Sequence, residues 1–178
     1  MIVAIFPLVF DGATIYDTGV LCTNTVDKHF VFDVTLDVLN NSALASTRSS
    51  SLGAGFTLRV NSNGSVVYFR TGTSRVAQSA NGLISAGTRY TIELLSDGPN
   101  ATIKIDGSDV ATQNAMQDGF ESGLSIHLGA ENIGNPASYL DGTIHDATIT
   151  VDGVIWPVAS STPSPRRRRS MLMGGNTL

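Results

Sequence analysis

Apolar and polar residues alternate with period two along most of the chain. In 56–60, Phe56, Leu58 and Val60 fall on one face and Thr57 and Arg59 on the other. In 124–130, Leu124, Ile126, Leu128 and Ala130 point one way, and Ser125 and His127 the other. Ala101, Ile103 and Ile105 alternate with Thr102, Lys104 and Asp106. Such spacing marks half-buried antiparallel strands with one face on a core. No stretch carries an apolar stripe at helical spacing over three turns. Turn chemistry separates the runs at Asn61-Ser62-Asn63-Gly64, Asp97-Gly98-Pro99-Asn100, Asp106-Gly107 and Asp152-Gly153. Asn-Gly and Asp-Gly pairs tolerate the positive φ that tight hairpins need. The pattern predicts strands over 2–9, 14–21, 30–39, 56–60, 65–70, 89–96, 101–106, 109–113, 124–130, 143–151 and 154–159. One of them breaks phase: Ala147, Ile149 and Val151 are in register and Ile144 is not. A bulge between Ile144 and Ala147 returns both to the core. The expected fold is all-β, an antiparallel β-sandwich or jelly roll.

Composition agrees. The 178 residues are 42% hydrophobic and 15% charged, which excludes disorder over the bulk of the chain. No apolar run is long enough for a spanning helix, so membrane insertion is not expected. Cys22 is the sole cysteine and is expected to act as a small buried hydrophobe. The apolar stretch Met1 to Phe10 lacks a positive start and a small-residue cleavage site; it reads as a strand, with Pro7 suited to a sheet edge. Net charge is −4, but Arg166, Arg167, Arg168 and Arg169 supply four of the eleven cationic side chains against fifteen carboxylates. An acidic body therefore precedes a basic end. The Ser/Pro-rich run from Ser160 to Pro165 reads as a linker, dividing the chain into a domain over 1–159 and an arm over 160–178.

Two stretches carry a family likeness. Arg89-Tyr90-Thr91-Ile92-Glu93-Leu94 followed by Ala101-Thr102-Ile103-Lys104-Ile105-Asp106-Gly107 is one. Ile126-His127-Leu128-Gly129-Ala130 with the run from Tyr139 to Ile149 is the other. Both resemble strand pairs of the concanavalin A-like lectin and laminin-G superfamily. The layout of a short acidic sandwich with an Arg-rich end resembles that of tailed-phage virion proteins. The resemblance implies a lectin-like sandwich and raises three chemical questions: hydrolysis, calcium and sugar binding.

Glucanases of this superfamily carry Glu-x-Asp-x-Glu on one strand. Here the glutamates are Glu93, Glu121 and Glu131, far apart in sequence. Asp33 and Asp37 share a strand face but sit ~13 Å apart, outside the roughly 5–9.5 Å that glycoside hydrolysis uses. A non-enzymatic protein is expected. Cys22 and the histidines His29, His127 and His145 form no nucleophilic or metal-binding spacing, and His127 falls on the polar face of its strand. Calcium, which the resemblance raises, would use rim aspartates; Asp11, Asp17, Asp118 and Asp141 are the candidates, and turn chemistry accounts for each. No cofactor is expected. For a sugar, the loop over 131–139 offers Asn132, Asn135 and Tyr139, with Asp141 just beyond. Aromatic content is 7%, and the one tryptophan, Trp156, is placed in the last strand against the core.

The arginine run is read as an anchoring arm. Arg166 to Arg169 pair with carboxylates of another protein, and Met171, Leu172 and Met173 fill a groove. Nucleic acid is not the expected partner, because the body is acidic and lacks a nucleic-acid motif. The resemblance thus implies a structural component of a tailed-phage virion, displayed at its surface and assembled in the bacterial cytoplasm. Its expected partners are other virion proteins, further copies of itself and a host-surface glycan. The alternatives are a free-standing carbohydrate-binding lectin module and a glycan hydrolase with carboxylates drawn from separate strands.

Overall fold

The computed structural model describes residues 6–48, 54–72, 76–117, 119–131 and 138–156. Their regular structure is entirely β: β1 (Leu8–Asp11), β2 (Tyr16–Leu21), β3 (Lys28–Leu36), β4 (Ser42–Ser46), β5 (Phe56–Val60), β6 (Val66–Arg70), β7 (Val76–Gln78), β8 (Arg89–Asp97), β9 (Asn100–Ile105), β10 (Ser108–Gln113), β11 (Ser125–Leu128), β12 (Asp141–Val151) and β13 (Val154–Trp156). They form two antiparallel sheets. One runs β1-β12-β3-β8-β9-β10, with β13 also on β12; the other runs β2-β11-β4-β5-β6-β7. The eleven residues of β12 pair with β3 on one side, and with β1 and then β13 on the other.

Alternation puts one side of each sheet into a shared core. Phe30, Phe32, Val34 and Leu36 of β3 face Phe56, Leu58, Val60 and Tyr68 of the other sheet, all fully buried. Rings join across the gap: Phe30 to Phe56 at 6.0 Å between centroids, and Phe56 to Tyr68 at 5.9 Å. The expected bulge is present. The β12–β3 register shifts between Ile144 and Asp146, and Ile144, Ala147 and Ile149 are all buried. The Asp106-Gly107 and Asp152-Gly153 turns take positive φ at both residues, as tight hairpins require.

Several expectations need correction. Two strands escaped the pattern. All five residues of β4 are buried, so the strand of small residues shows no alternation; β7 has only three residues. Strand β3 ends at Leu36, which leaves Asp37 outside it, its N–H bonded to the Asp141 carbonyl. His127 is not on an open polar face. It is 7% exposed, held by the Ser125 carbonyl at 2.8 Å and the Asp17 carboxylate at 3.8 Å. The predicted start of the first strand, the boundary near 160 and the arm lie outside the described residues, as does the side chain of Trp156.

One end of the core is polar. The Lys28 ammonium points inward, donates to the Asn24 and Val26 carbonyls at 2.8 and 2.7 Å, and lies 5.3 Å from the Phe56 ring centre. Arg70, 1% exposed, donates to Tyr68, Ser96 and the Gly98 carbonyl. Burial pulls the Lys28 pKa from 10.5 down to about 8 and pushes the Cys22 thiol from 9.0 up to about 11. Between pH 8 and 9 the unfolded chain holds a proton on Lys28 that the folded chain has shed, so stability rises with pH there. Above pH 9, Cys22 ionises first in the unfolded chain and opposes the trend. Urea unfolding should therefore show stability climbing from pH 8 to 9 by up to about 1.4 kcal/mol, and Lys28→Met should flatten that slope.

Candidate functional site

The outer face of the six-stranded sheet carries a charged cluster built on an aromatic ring. Alternation in β5 turns Phe56, Leu58 and Val60 inward and Arg59 outward; in β6 it turns Phe69 outward between the inward Tyr68 and Arg70. Arg48 follows the end of β4. The two guanidinium groups sit over the Phe69 ring, at 5.6 Å for Arg48 and 5.2 Å for Arg59. Glu131, three residues beyond β11, reaches both. Its Oε1 pairs with Arg48 Nη1, and its Oε2 with Arg59 Nη1 at 3.0 Å. Arg59 Nε also donates to Asn61 Oδ1 at 3.0 Å.

Burial decides what this cluster can do. Glu131 is 2% exposed, while Arg48 and Arg59 are 28% and 27% exposed. A carboxylate this deep is matched by two cations, which leaves the group with one excess positive charge. Burial lowers the pKa of both arginines, and Arg48 lowers that of Arg59 further; both keep their protons at neutral pH. The Arg48 Nε is buried and has no hydrogen-bond partner among the described residues. Glu131 takes Nη1 of both arginines and Asn61 takes Arg59 Nε, so what the pair offers an incoming anion is one excess positive charge and the remaining Nη2 donors.

The sequence-predicted residues fall partly on this site. The two described ends of the 131–139 loop both sit on the same sheet: Glu131 among the arginines, and Ser138 through its carbonyl, which accepts the Ala43 N–H at 2.9 Å. Asn132 and Asn135 lie outside the described residues; Tyr139 is half-buried. Asp141 is not a loop residue. It opens β12, opposite Asp11 of β1. Arg166, Arg167, Arg168, Arg169, Met171 and Leu172 lie outside the described residues. Of the calcium candidates, Asp11 accepts from the Ala13 and Thr14 N–H groups, Asp17 accepts from the Gly19 N–H and the Ser125 hydroxyl, and Asp118 is outside the described residues. Among the described residues no three His, Cys, Asp or Glu side chains gather as a metal site.

The sequence reading missed Arg48, Arg59, Phe69 and the role of Glu131. One signal was available: β6 places an aromatic on its outward face and an arginine on its inward one, the reverse of a simple amphipathic strand.

The outer face of the seven-stranded sheet is polar in a different way. Asp33 and Asp146 are register partners across β3 and β12. Arg89 grips Asp33 and holds its carboxyl below the usual range, while Asp146 accepts the Ala147 N–H. His29 and Glu93 pair at 2.6 Å, and His145 meets the Thr35 hydroxyl at 2.9 Å. A groove of about 390 Å³ opens here, lined by His29, Leu95, Asp97, Asn100, Thr102 and Thr150 among others. Its described lining includes no Phe, Tyr or Trp, and the Lys28 ammonium beside it points into the core. The arginine cluster, with its buried carboxylate, is the stronger site.

No protein-family model and no curated protein sequence matches the chain. Solved structures do. The CBM40 module of the Ruminococcus gnavus IT-sialidase, bound to α2,3-sialyllactose, superposes with TM-score 0.64 and 16% identity over 85% of this chain and 92% of that one. The laminin α1 LG4-5 domains from mouse give 0.63 and 11% over 83% and 42%. A heptameric SAP-like pentraxin from Limulus polyphemus gives 0.59 and 15% over 79% and 73%. These likenesses agree with the two-sheet architecture: the fold is an antiparallel β-sandwich of the kind these modules share.

Removing the shared carboxylate tests the cluster. Glu131→Gln leaves two guanidinium groups crowded without their counter-charge and should cost about 2 kcal/mol in urea unfolding. Arg48→Lys, which keeps the charge but loses the fork, should cost less than half of that.

Proposed function

We propose that this protein is a non-catalytic, lectin-like recognition module that binds a carboxylate-bearing sugar at Arg48 and Arg59. The observation that carries this reading is the Arg48–Glu131–Arg59 cluster over Phe69. The guanidinium donors that Glu131 and Asn61 leave over can pair with a ligand carboxylate, and the ring beneath them supplies an apolar surface. Glu131 fixes both forks before ligand arrives, so little side-chain entropy is lost on binding. Likeness to a CBM40 module solved with sialyllactose supports an acidic sugar as the ligand class.

A hydrolase reading is weaker. A glycosidase needs one carboxylic acid with a raised pKa. In the facing pair Asp33 and Asp146, Arg89 grips Asp33 and keeps it ionised, so Asp33 does not supply that acid.

The virion reading and the free-standing lectin reading share this site. They differ only in attachment, which rests on Arg166 to Arg169 and, for the virion, on the layout resemblance. In a virion the module would present the arginine face to a host-surface glycan, with self-association raising avidity.

Calorimetric titration with 3′-sialyllactose tests the proposal. Binding should be saturable and should weaken as salt is raised. Arg59→Ala should weaken it at least tenfold, and lactose, which lacks the carboxylate, should not bind. Equal affinity for lactose, or no change in Arg59→Ala, would contradict the reading. No free sialic acid should be released on prolonged incubation.

A further inference from the structure

Phe120 is 64% exposed, yet it is fixed in place. Its N–H donates to the Thr71 carbonyl at 2.9 Å. Its own carbonyl accepts from the Gly55 N–H at 2.6 Å and from Asn24 Nδ2 at 3.0 Å. The ring lies against Gly72, where a Cβ would come within 2.6 Å of it. Gly72 also has φ +84°, so both the space and the backbone there require glycine. On the neighbouring turn, Gly119 has φ +72°, and a Cβ on it would meet the Thr71 carbonyl at 2.6 Å. One side of the ring therefore rests on backbone while most of it faces solvent. Phe120 takes no part in the apolar core. Leaving this much aromatic surface in water costs free energy, and the three main-chain hydrogen bonds fix where the ring stands.

The ring borders the arginine site. Gly55, which holds the Phe120 carbonyl, packs on the backbone of Arg48; its Cβ position lies 2.9 Å from Arg48 Cα. Thr71 follows Phe69 by two residues, ~7 Å along the same strand direction. The Thr71 hydroxyl is buried with no hydrogen-bond partner among the described residues. Gly55 and Thr71 thus tie the loop that carries the exposed ring to the backbone beside Arg48 and Phe69.

We infer that Phe120 is a stacking platform for a neutral pyranose ring, the sugar next to the acidic residue held by Arg48 and Arg59. The apolar face of that ring lies on Phe120. This rests on the reading of the arginines as the acidic-sugar site. It adds that the protein reads an oligosaccharide rather than a single acidic sugar.

The test compares 3′-sialyllactose with N-acetylneuraminic acid alone by titration, using wild type, Phe120→Ala, Phe120→Trp and Arg59→Ala. Phe120→Ala should weaken sialyllactose at least fivefold and leave the monosaccharide unchanged, with its melting temperature near that of wild type; Phe120→Trp should restore sialyllactose binding. If Phe120→Ala leaves sialyllactose binding intact while Arg59→Ala weakens it, the platform is refuted and the acidic site stands. If Phe120→Ala weakens both ligands equally, the residue acts on the site as a whole and the platform is likewise refuted. If wild type binds neither ligand, both proposals fall together.

Discussion

A carboxylate buried on the outside of a sheet needs a counter-charge, and the architecture of the six-stranded face follows from that need. Glu131 reaches the sheet from beyond β11 and draws Arg48 from the end of β4 and Arg59 from β5 into one group. Three segments distant in sequence are tied at a single point. Phe69 gives both guanidinium groups a flat surface, so their planes are set by packing as well as by charge. Because two cations answer one anion, the assembly stays positive on an otherwise acidic protein. That local reversal of sign separates it from an ordinary surface ion pair.

The molecule treats its other deep cations differently. Lys28 and Arg70 turn into the core and bond to carbonyl and hydroxyl oxygens. Their donors face inward, and for Lys28 the cost of burial appears in the pH dependence of stability. Arg89 on the other sheet spends its fork on Asp33. The same residue type thus serves as internal brace, surface pair and half-buried partner of a buried carboxylate, and the groups around it decide which.

Much of the fold was legible in the sequence because strand alternation survives translation into structure. The Phe56 to Val60 strand, the Asp-Gly turns and the bulge after Ile144 all follow from period two and turn chemistry. Strand β4 did not, because a strand of small residues covered on both faces has no alternation to read. The site was less legible. The 131–139 loop was singled out for its amides and tyrosine, whereas the described residue that matters there is its first, Glu131. Its partners lie 83 and 72 residues away, and nothing in a linear pattern joins a buried glutamate to two arginines on another sheet region. Arg59 read as one polar position among many until the fold set it beside Phe69.

The central claim is one of location, and side-chain NMR of the arginine Nε–H groups addresses it most directly. On adding 3′-sialyllactose, the Arg48 and Arg59 resonances should shift together and saturate, while Arg89 and the backbone amides of His29 and Thr102 stay still. Shifts confined to His29, Thr102 and their neighbours would place the ligand on the seven-stranded face and contradict the account.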